Sequence, residues 1–159
     1  MEFLKLFLKM DQAEIKLERL SVHNLHPFTE LTLELWPDGA YEEALVECKQ
    51  MIDAPDNYCA LATYHEQYVG FIHISIRSDY VEGATNNKTA YLEGIYIKPA
   101  YRRNNIGMFL LNHGQQWAKL KGLDQIASDT ELDNLSGQQF HEKLGFTKTN
   151  SIVCYLKNI

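Results

Sequence analysis

The sequence predicts an α/β fold, a mixed central sheet with helices on both faces, in the order β-α-α-β-β-β-α-β-α-β. Three observations predict it. Two β-rich runs, NYCALATYH and QYVGFIHISIRS, flank a short turn near His65–Gln67 and read as a hairpin. After residue 100 amphipathic helical stretches alternate with short apolar strands, which is the pattern of crossover connections. The chain has 159 residues, enough for one hydrophobic core and too few for two comfortable ones.

Each element has its own signal. EIKLERL (14–20) alternates and reads as a strand. NLHPFTELTLELW (24–36) reads as a helix with Asn24 in place for a cap, stopped by Pro37 and Gly39. In AYEEALVECKQMID, Tyr41, Leu45, Cys48 and Ile52 fall on one helical face. The hairpin follows, then a polar loop (81–89) and the strand AYLEGIYIKP, ended by Pro99. Ile106, Leu110, His113, Trp117 and Leu120 form the stripe of an amphipathic helix closed by Lys121-Gly122. DQIAS is a short strand, NLSGQQFHEKLG a helix with Gly145 at the left-handed position past its end, and SIVCYL the last strand. No repeat or linker divides the chain, so residues 15–159 are expected to form a single domain and 1–14 an extension outside it.

Composition excludes some classes of function. A net charge of -6 argues against a nucleic-acid binder, which needs a basic stripe, and is compatible with a cationic small molecule. Cys48, Cys59 and Cys154 are scattered and odd in number, which points to reduced thiols in a cytoplasm rather than to disulfides. No cysteine or histidine spacing suits a metal, so none is expected. The opening MEFLKLFLKMDQAE carries Glu2, Lys5 and Lys9 in its apolar patch and reads as neither a signal peptide nor a membrane span.

The stretch RRNNIG, Arg102 to Gly107, joins a strand to a helix. A helix N-terminus offers unpaired N–H groups and the positive end of the helix dipole. Two arginines add charge, Asn105 tolerates a left-handed backbone, and Gly107 permits close approach. A pyrophosphate cradle and an ordinary capped helix with solvated arginines both fit these residues.

The turn resembles the signature of the GCN5-related N-acetyltransferase superfamily, Arg/Gln-x-x-Gly-x-Gly/Ala, matching at Arg102 and Gly107 and departing at Asn105. The blocks LWPDG, SIRSDYVEG, YLEGIYIKPAYRR, ASDTELDN, FHEKLGF and VCYLKN are similar, in order and from about Ile15 onward, to the bacterial aminoglycoside 6'-N-acetyltransferases. The resemblance implies the GCN5-related N-acetyltransferase fold, acetyl-CoA as co-substrate, an antibiotic such as kanamycin or tobramycin as acceptor, a homodimer, and no metal. It implies that Arg102, Arg103, Asn104, Asn105, Ile106, Gly107 and Met108 hold the pyrophosphate, and that backbone around Ile95, Tyr96 and Ile97 takes the pantetheine arm.

Several further residues have a reading of their own beside the implied one. Glu93 sits in an apolar strand, where a carboxylate must be paired or used. Asp129 ends a short strand, as a ligand group or a turn residue. Trp36 and Tyr80 are core or rim residues by type, His141 is a helix-surface histidine and Asn134 an N-cap. The resemblance implies that Trp36, Tyr80, Glu93, Asp129 and Asn150 line the antibiotic pocket. Asn150 stands where relatives often carry a glutamate. It further implies that Glu93 guides the amine's proton, that His141 serves as acid for the departing thiolate, and that Asn134 touches acetyl-CoA. An acetyltransferase of this fold acting on a polyamine or a protein N-terminus, or a non-catalytic acetyl-CoA sensor, is the alternative.

Overall fold

The computed structural model describes residues 10–159. Residues 1–9, most of the expected extension, lie outside them. Met10 packs against the core, and Gln12 Nε2 donates to the carbonyl of Asn104 at 2.9 Å.

Five strands form one sheet in the order β1-β2-β3-β4-β5. They are β1 (Ile15–Arg19), β2 (Asn57–Tyr64), β3 (Gln67–Arg77), β4 (Thr89–Ile97) and β5 (Ile126–Ala127). The first three pairings are antiparallel and β4–β5 is parallel, so the sheet is mixed. The β2–β3 hairpin turns through His65 (φ 47°) and Glu66 (φ 61°), two left-handed residues whose twist matches that of the flanking strands.

Helices α1 (Leu25–Leu35) and α2 (Tyr41–Gln50) cover one face, where Phe28, Leu31 and Cys48 meet Cys59, Leu61 and Phe71. Helix α3 (Ile106–Leu120) covers the other, with Ile106, Leu110 and Leu111 on Ile72, Ile74 and Leu92. Helix α4 (Leu135–Lys143) joins this second layer through Phe140 and the following Leu144. Among the described residues no helix is long and apolar enough to cross a membrane.

Three expectations are corrected. The buried face of α3 runs through Ile106, Leu110, Leu111, Gly114 and Ala118, while Leu120 is exposed. Small residues let the helix lie close to β3, and a stripe drawn through large apolar residues follows only the first half of that face. Asn24 occupies the cap position of α1 but its side chain does not cap. Its Oδ1 accepts from the Ser21 amide (2.8 Å) and its Nδ2 donates to the Arg19 carbonyl (3.0 Å), fastening the β1–α1 connection.

The expected last strand is the third correction: residues 146–159 have no regular secondary structure. Ile152, Val153, Tyr155 and Leu156 stand exposed, the last two at 94% and 95%. A strand is stable only beside another strand, and among the described residues none lies beside this one.

Phe28 is fully buried, its ring edge-on to Phe71 at 5.1 Å, and it anchors α1 to the sheet. Phe28→Ala should cost about 3–5 kcal/mol in urea unfolding. A loss below about 1 kcal/mol would mean that α1 is held elsewhere.

Candidate active site

The site begins with a register shift. His73 of β3 lies opposite Gly94 and the next residue, Ile74, lies opposite Leu92. Glu93 is therefore an extra residue in β4, a β-bulge. The bulge aims Glu93 at the face on which His73, Ser75 and Arg77 alternate along β3. Ser75 Oγ donates to Glu93, as do Arg77 Nε (2.9 Å) and Nη2 (2.6 Å). Burial pushes the Glu93 carboxyl up, but the Arg77 and Ser75 hydrogen bonds and the guanidinium charge together hold it below the usual carboxylate range.

The same face carries two of the other expected acceptor residues, Trp36 and Asp129. The Arg77 guanidinium lies 3.4 Å from the centroid of the Tyr91 ring, and the Tyr91 hydroxyl donates to exposed Asp129. Trp36, at the end of α1, packs over Gly94, where an added Cβ would come within 2.5 Å of the indole. Trp36 and His73 also line a cavity of about 250 Å³ with Glu43, Glu47 and Cys48. Burial lowers the pKa of His73 against the opposing pull of Glu93, and its Nε2 lies 2.7 Å from Asn57 Oδ1. Tyr80 and Asn150 form a separate exposed group, joined by Glu82: both donate to its carboxylate, Asn150 Nδ2 at 3.0 Å. Among the described residues no cluster of histidine, cysteine and carboxylate side chains could hold a metal ion.

At the opposite end, Arg102 and Arg103 are exposed, and Asn105 occupies the position before α3 in a left-handed conformation (φ 58°) with no side-chain cap hydrogen bond. The tolerance for that conformation noted at Asn105 is used here, and Arg103 is left-handed too (φ 63°). Arg102 Nε donates to the Ile97 carbonyl (2.8 Å), tying the turn to the end of β4. Asn104 Nδ2 donates to the carbonyls of Tyr101 and Arg102. Ile106 is buried and Met108 half-buried, their amides in the first turn of the helix. Gly107 also has a packing role. A Cβ there would lie 2.8 Å from Phe140, so the glycine permits α3 to pack on α4.

Between these ends β5 stops after two residues. It pairs with β4 only at Ala90–Ile126 and Tyr91–Ala127, so Ile95, Tyr96 and Ile97 lie beyond the last β5 partner. His141 reaches the end of β5 from α4 and is half-buried rather than a surface residue. Its Nδ1 lies 2.8 Å from the Gly137 carbonyl, which only accepts, so Nδ1 carries the proton. Its Nε2 lies 2.8 Å from Ser128 Oγ, which is 3.2 Å from the Leu92 carbonyl. Asn134 is an N-cap, accepting from the Gly137 amide at 2.9 Å.

Sequence reasoning did not single out Arg77, Tyr91, Ser128 or Glu82. Arg77 was within reach: in HISIRS the residues 73, 75 and 77 share a face by period-two alternation, and a buried glutamate on a neighbouring strand calls for a cation. Ser128 carries no such signal, because its partners Leu92 and His141 are distant in the chain, and the contact that ties Glu82 to Asn150 is equally remote.

A sequence model of the acetyltransferase (GNAT) family matches residues 19–146. The chain belongs to that family. Curated relatives include aminoglycoside N(6')-acetyltransferase type 1 of Serratia marcescens, 34% identical over 86% of this chain and 94% of the relative. The protein of the same name from Acinetobacter baumannii is 36% identical over 88% and 96%. Among solved structures, the aminoglycoside antibiotic 6'-N-acetyltransferase AAC(6')-Ih of Acinetobacter baumannii superposes with a TM-score of 0.87 at 34% identity, covering 91% of this chain and 99% of that one. AAC(6')-Iy in complex with a bisubstrate analogue of CoA and acetylneamine also superposes at 0.87, with 28% identity and the same coverage. Like its family, the chain is an acetyltransferase that uses acetyl-CoA.

The left-handed cap at Asn105 gives a direct test. Asn105→Gly should leave stability within about 0.5 kcal/mol, whereas Asn105→Val should cost roughly 1–2 kcal/mol in urea unfolding, because a β-branched residue resists that conformation. Equal stability of the two variants would contradict the cap geometry.

Proposed function

We propose that the chain transfers acetyl from acetyl-CoA to the 6'-amino group of an aminoglycoside antibiotic, by direct attack within a ternary complex. The observation that supports this most is the one sheet face that joins Trp36, Glu93 and Asp129 beside the acidic rim of Glu43 and Glu47. An aromatic wall among carboxylates suits a polycationic sugar. Relatives carrying the name of this reaction, aligned over most of the chain, support the same acceptor.

In this reading the turn from Arg102 to Met108 receives the pyrophosphate on helix amides and guanidinium groups. The pantetheine arm runs along Ile95, Tyr96 and Ile97, where β4 lacks a β5 partner, and a backbone N–H there polarises the thioester carbonyl. Asn134, at the start of α4, flanks the co-substrate. Trp36, Tyr80, Asp129 and Asn150 surround the antibiotic, and Glu82 adds a carboxylate beside Asn150.

The amine's lone pair attacks the carbonyl carbon, a C–N bond forms and the C–S bond breaks. Glu93 accepts the amine's N–H and, through water, conducts its proton away once the nitrogen has become acidic. The departing thiolate takes a proton from His141 relayed through the Ser128 hydroxyl, since Nδ1–H stays on the Gly137 carbonyl and Nε2 faces Ser128. Before that transfer a protonated His141 donates to Ser128, whose own hydrogen turns to the Leu92 carbonyl, so every donor in the chain is satisfied.

We place the reaction in the cytoplasm, in keeping with three free cysteines and acetyl-CoA as co-substrate. We also infer a homodimer. The exposed apolar segment Ile152–Leu156 is strand-like in sequence and would pair with a second copy of the chain.

Release of free CoA with kanamycin, with the product acetylated at the 6'-nitrogen by NMR, tests the assignment. Release with a polyamine or a peptide N-terminus but not with kanamycin or tobramycin would overturn it.

Two variants separate the two ends of the site. Arg103→Ala should raise the KM for acetyl-CoA roughly 3–10-fold with little change for kanamycin, as expected for an exposed charge-assisted contact. Asp129→Asn should raise the KM for kanamycin by a similar factor and leave that for acetyl-CoA and kcat nearly unchanged. The opposite pattern in either variant would misplace that end.

A further inference from the structure

Arg77 stands between the two carboxylates proposed to meet the antibiotic. Its fork closes on both oxygens of Glu93, at 2.9 and 2.6 Å. Its flat face lies 3.4 Å from the centroid of Tyr91, whose hydroxyl donates to Asp129. A planar guanidinium serves both contacts at once, which a lysine ammonium does not. The Arg77 and Glu93 side chains keep 35% and 24% of their surface exposed, so the pair is open to solvent rather than sealed in the core.

The charges around this point leave Glu93 cancelled. From β3 come Arg77 and His73, from β4 Glu93 and Tyr91, from the loop after β3 Asp79, and from the end of β5 Asp129. Burial keeps His73 neutral and, with the Asp129 hydrogen bond, keeps Tyr91 neutral as well. Arg77 is thus the one side chain in the group that offsets Glu93 with a full positive charge.

We propose that Arg77 is a specificity-determining and positioning residue: it neutralises Glu93 so that the pocket receives the acceptor amine as free base rather than as ammonium. The proposal rests on the acceptor reading above. An ammonium has no lone pair and does not attack. A bare carboxylate beside it stabilises the charged form and raises the amine's pKa by roughly 1–3 units. Each unit leaves about tenfold less free amine at a pH below that pKa. Paired with Arg77, Glu93 keeps lone pairs to accept the amine's N–H and orient it, while the pair as a whole carries no charge to hold the extra proton. A carboxylate already paired is a weak base. That suffices, because the proton is lost after attack, from a nitrogen that has become strongly acidic.

The sign of the effect is testable, because removing either partner leaves the other uncancelled. Arg77→Gln exposes Glu93, so the acidic limb of the pH profile of kcat, which reports the bound amine, should move up by about one unit. The KM for kanamycin should fall at the same time. Glu93→Gln exposes the guanidinium, so the limb should move down by about one unit and the KM should rise. Arg77→Lys keeps the charge and should keep the limb near its wild-type position.

Calorimetry gives a readout that does not depend on turnover. The number of protons released when kanamycin binds at pH 6.5, obtained from heats in buffers of different ionisation enthalpy, should fall in Arg77→Gln and rise in Glu93→Gln. Shifts of the same sign in both variants, or none, would mean that the pair only supports the fold and would overturn the proposal. A wild-type enzyme that fails to acetylate the 6'-amine would overturn the acceptor reading and the proposal together. Normal acetylation without opposed shifts would overturn the proposal alone.

Discussion

Between His73 and Ile74 the β3–β4 ladder skips one residue, and the skipped residue is Glu93. Were the ladder regular, successive β4 side chains would alternate strictly between the two faces of the sheet. The extra residue instead puts Glu93 and Gly94 on the same face, one carrying a carboxylate and the other making room for Trp36. It comes just where β5 stops pairing with β4. The proposed acceptor pocket and the unpaired stretch of β4 proposed for the co-substrate therefore meet at a single irregularity. The carboxylate in an apolar strand is tolerated because Arg77 and Ser75 satisfy it.

The two ends of the site are coupled by packing. Helix α3 follows the Arg102–Asn105 turn and rests on α4 through Gly107 and Phe140. Helix α4 carries His141, which reaches back through Ser128 to the Leu92 carbonyl beside the bulge. The α3–α4 contact thereby links the turn proposed to receive the co-substrate to the histidine proposed to protonate its leaving group. Arg102 supplies a second link, bonding the end of β4 to the same turn.

Much of the fold was legible because its signals are local. The hairpin announced itself by β-rich runs around a short turn, α1 by its stop at Pro37, and α4 by Gly145, which is left-handed at φ 90°. What was not legible depends on neighbours distant in sequence. The buried side of α3 continues from Ile106 and Leu110 through Gly114 and Ala118, and a stripe of large apolar residues reveals only its first half. SIVCYL has the composition of a strand, but composition cannot supply a partner. At the site, Glu93 drew attention because a carboxylate breaks an apolar run, and the Asn105 backbone followed from the tolerance of asparagine for left-handed turns. Gly107 matched a phosphate motif, and its missing side chain also serves helix packing. The bonds from Arg77 to Glu93 and from Tyr91 to Asp129 belong to tertiary structure, and the chain order alone gives no hint of the second.

The exposed segment from Ile152 to Leu156 follows Asn150, which holds Glu82. If its missing neighbour is another copy of the chain, this part of the fold is completed by a bimolecular step, and mass action governs it. Dilution would then release the tail and with it the Asn150 end of the pocket. Specific activity would fall with enzyme concentration, although no residue of the reaction centre had changed. A freshly made chain at low abundance would be the least active, and a tail left without a mate would present an apolar strand to any sheet edge it met.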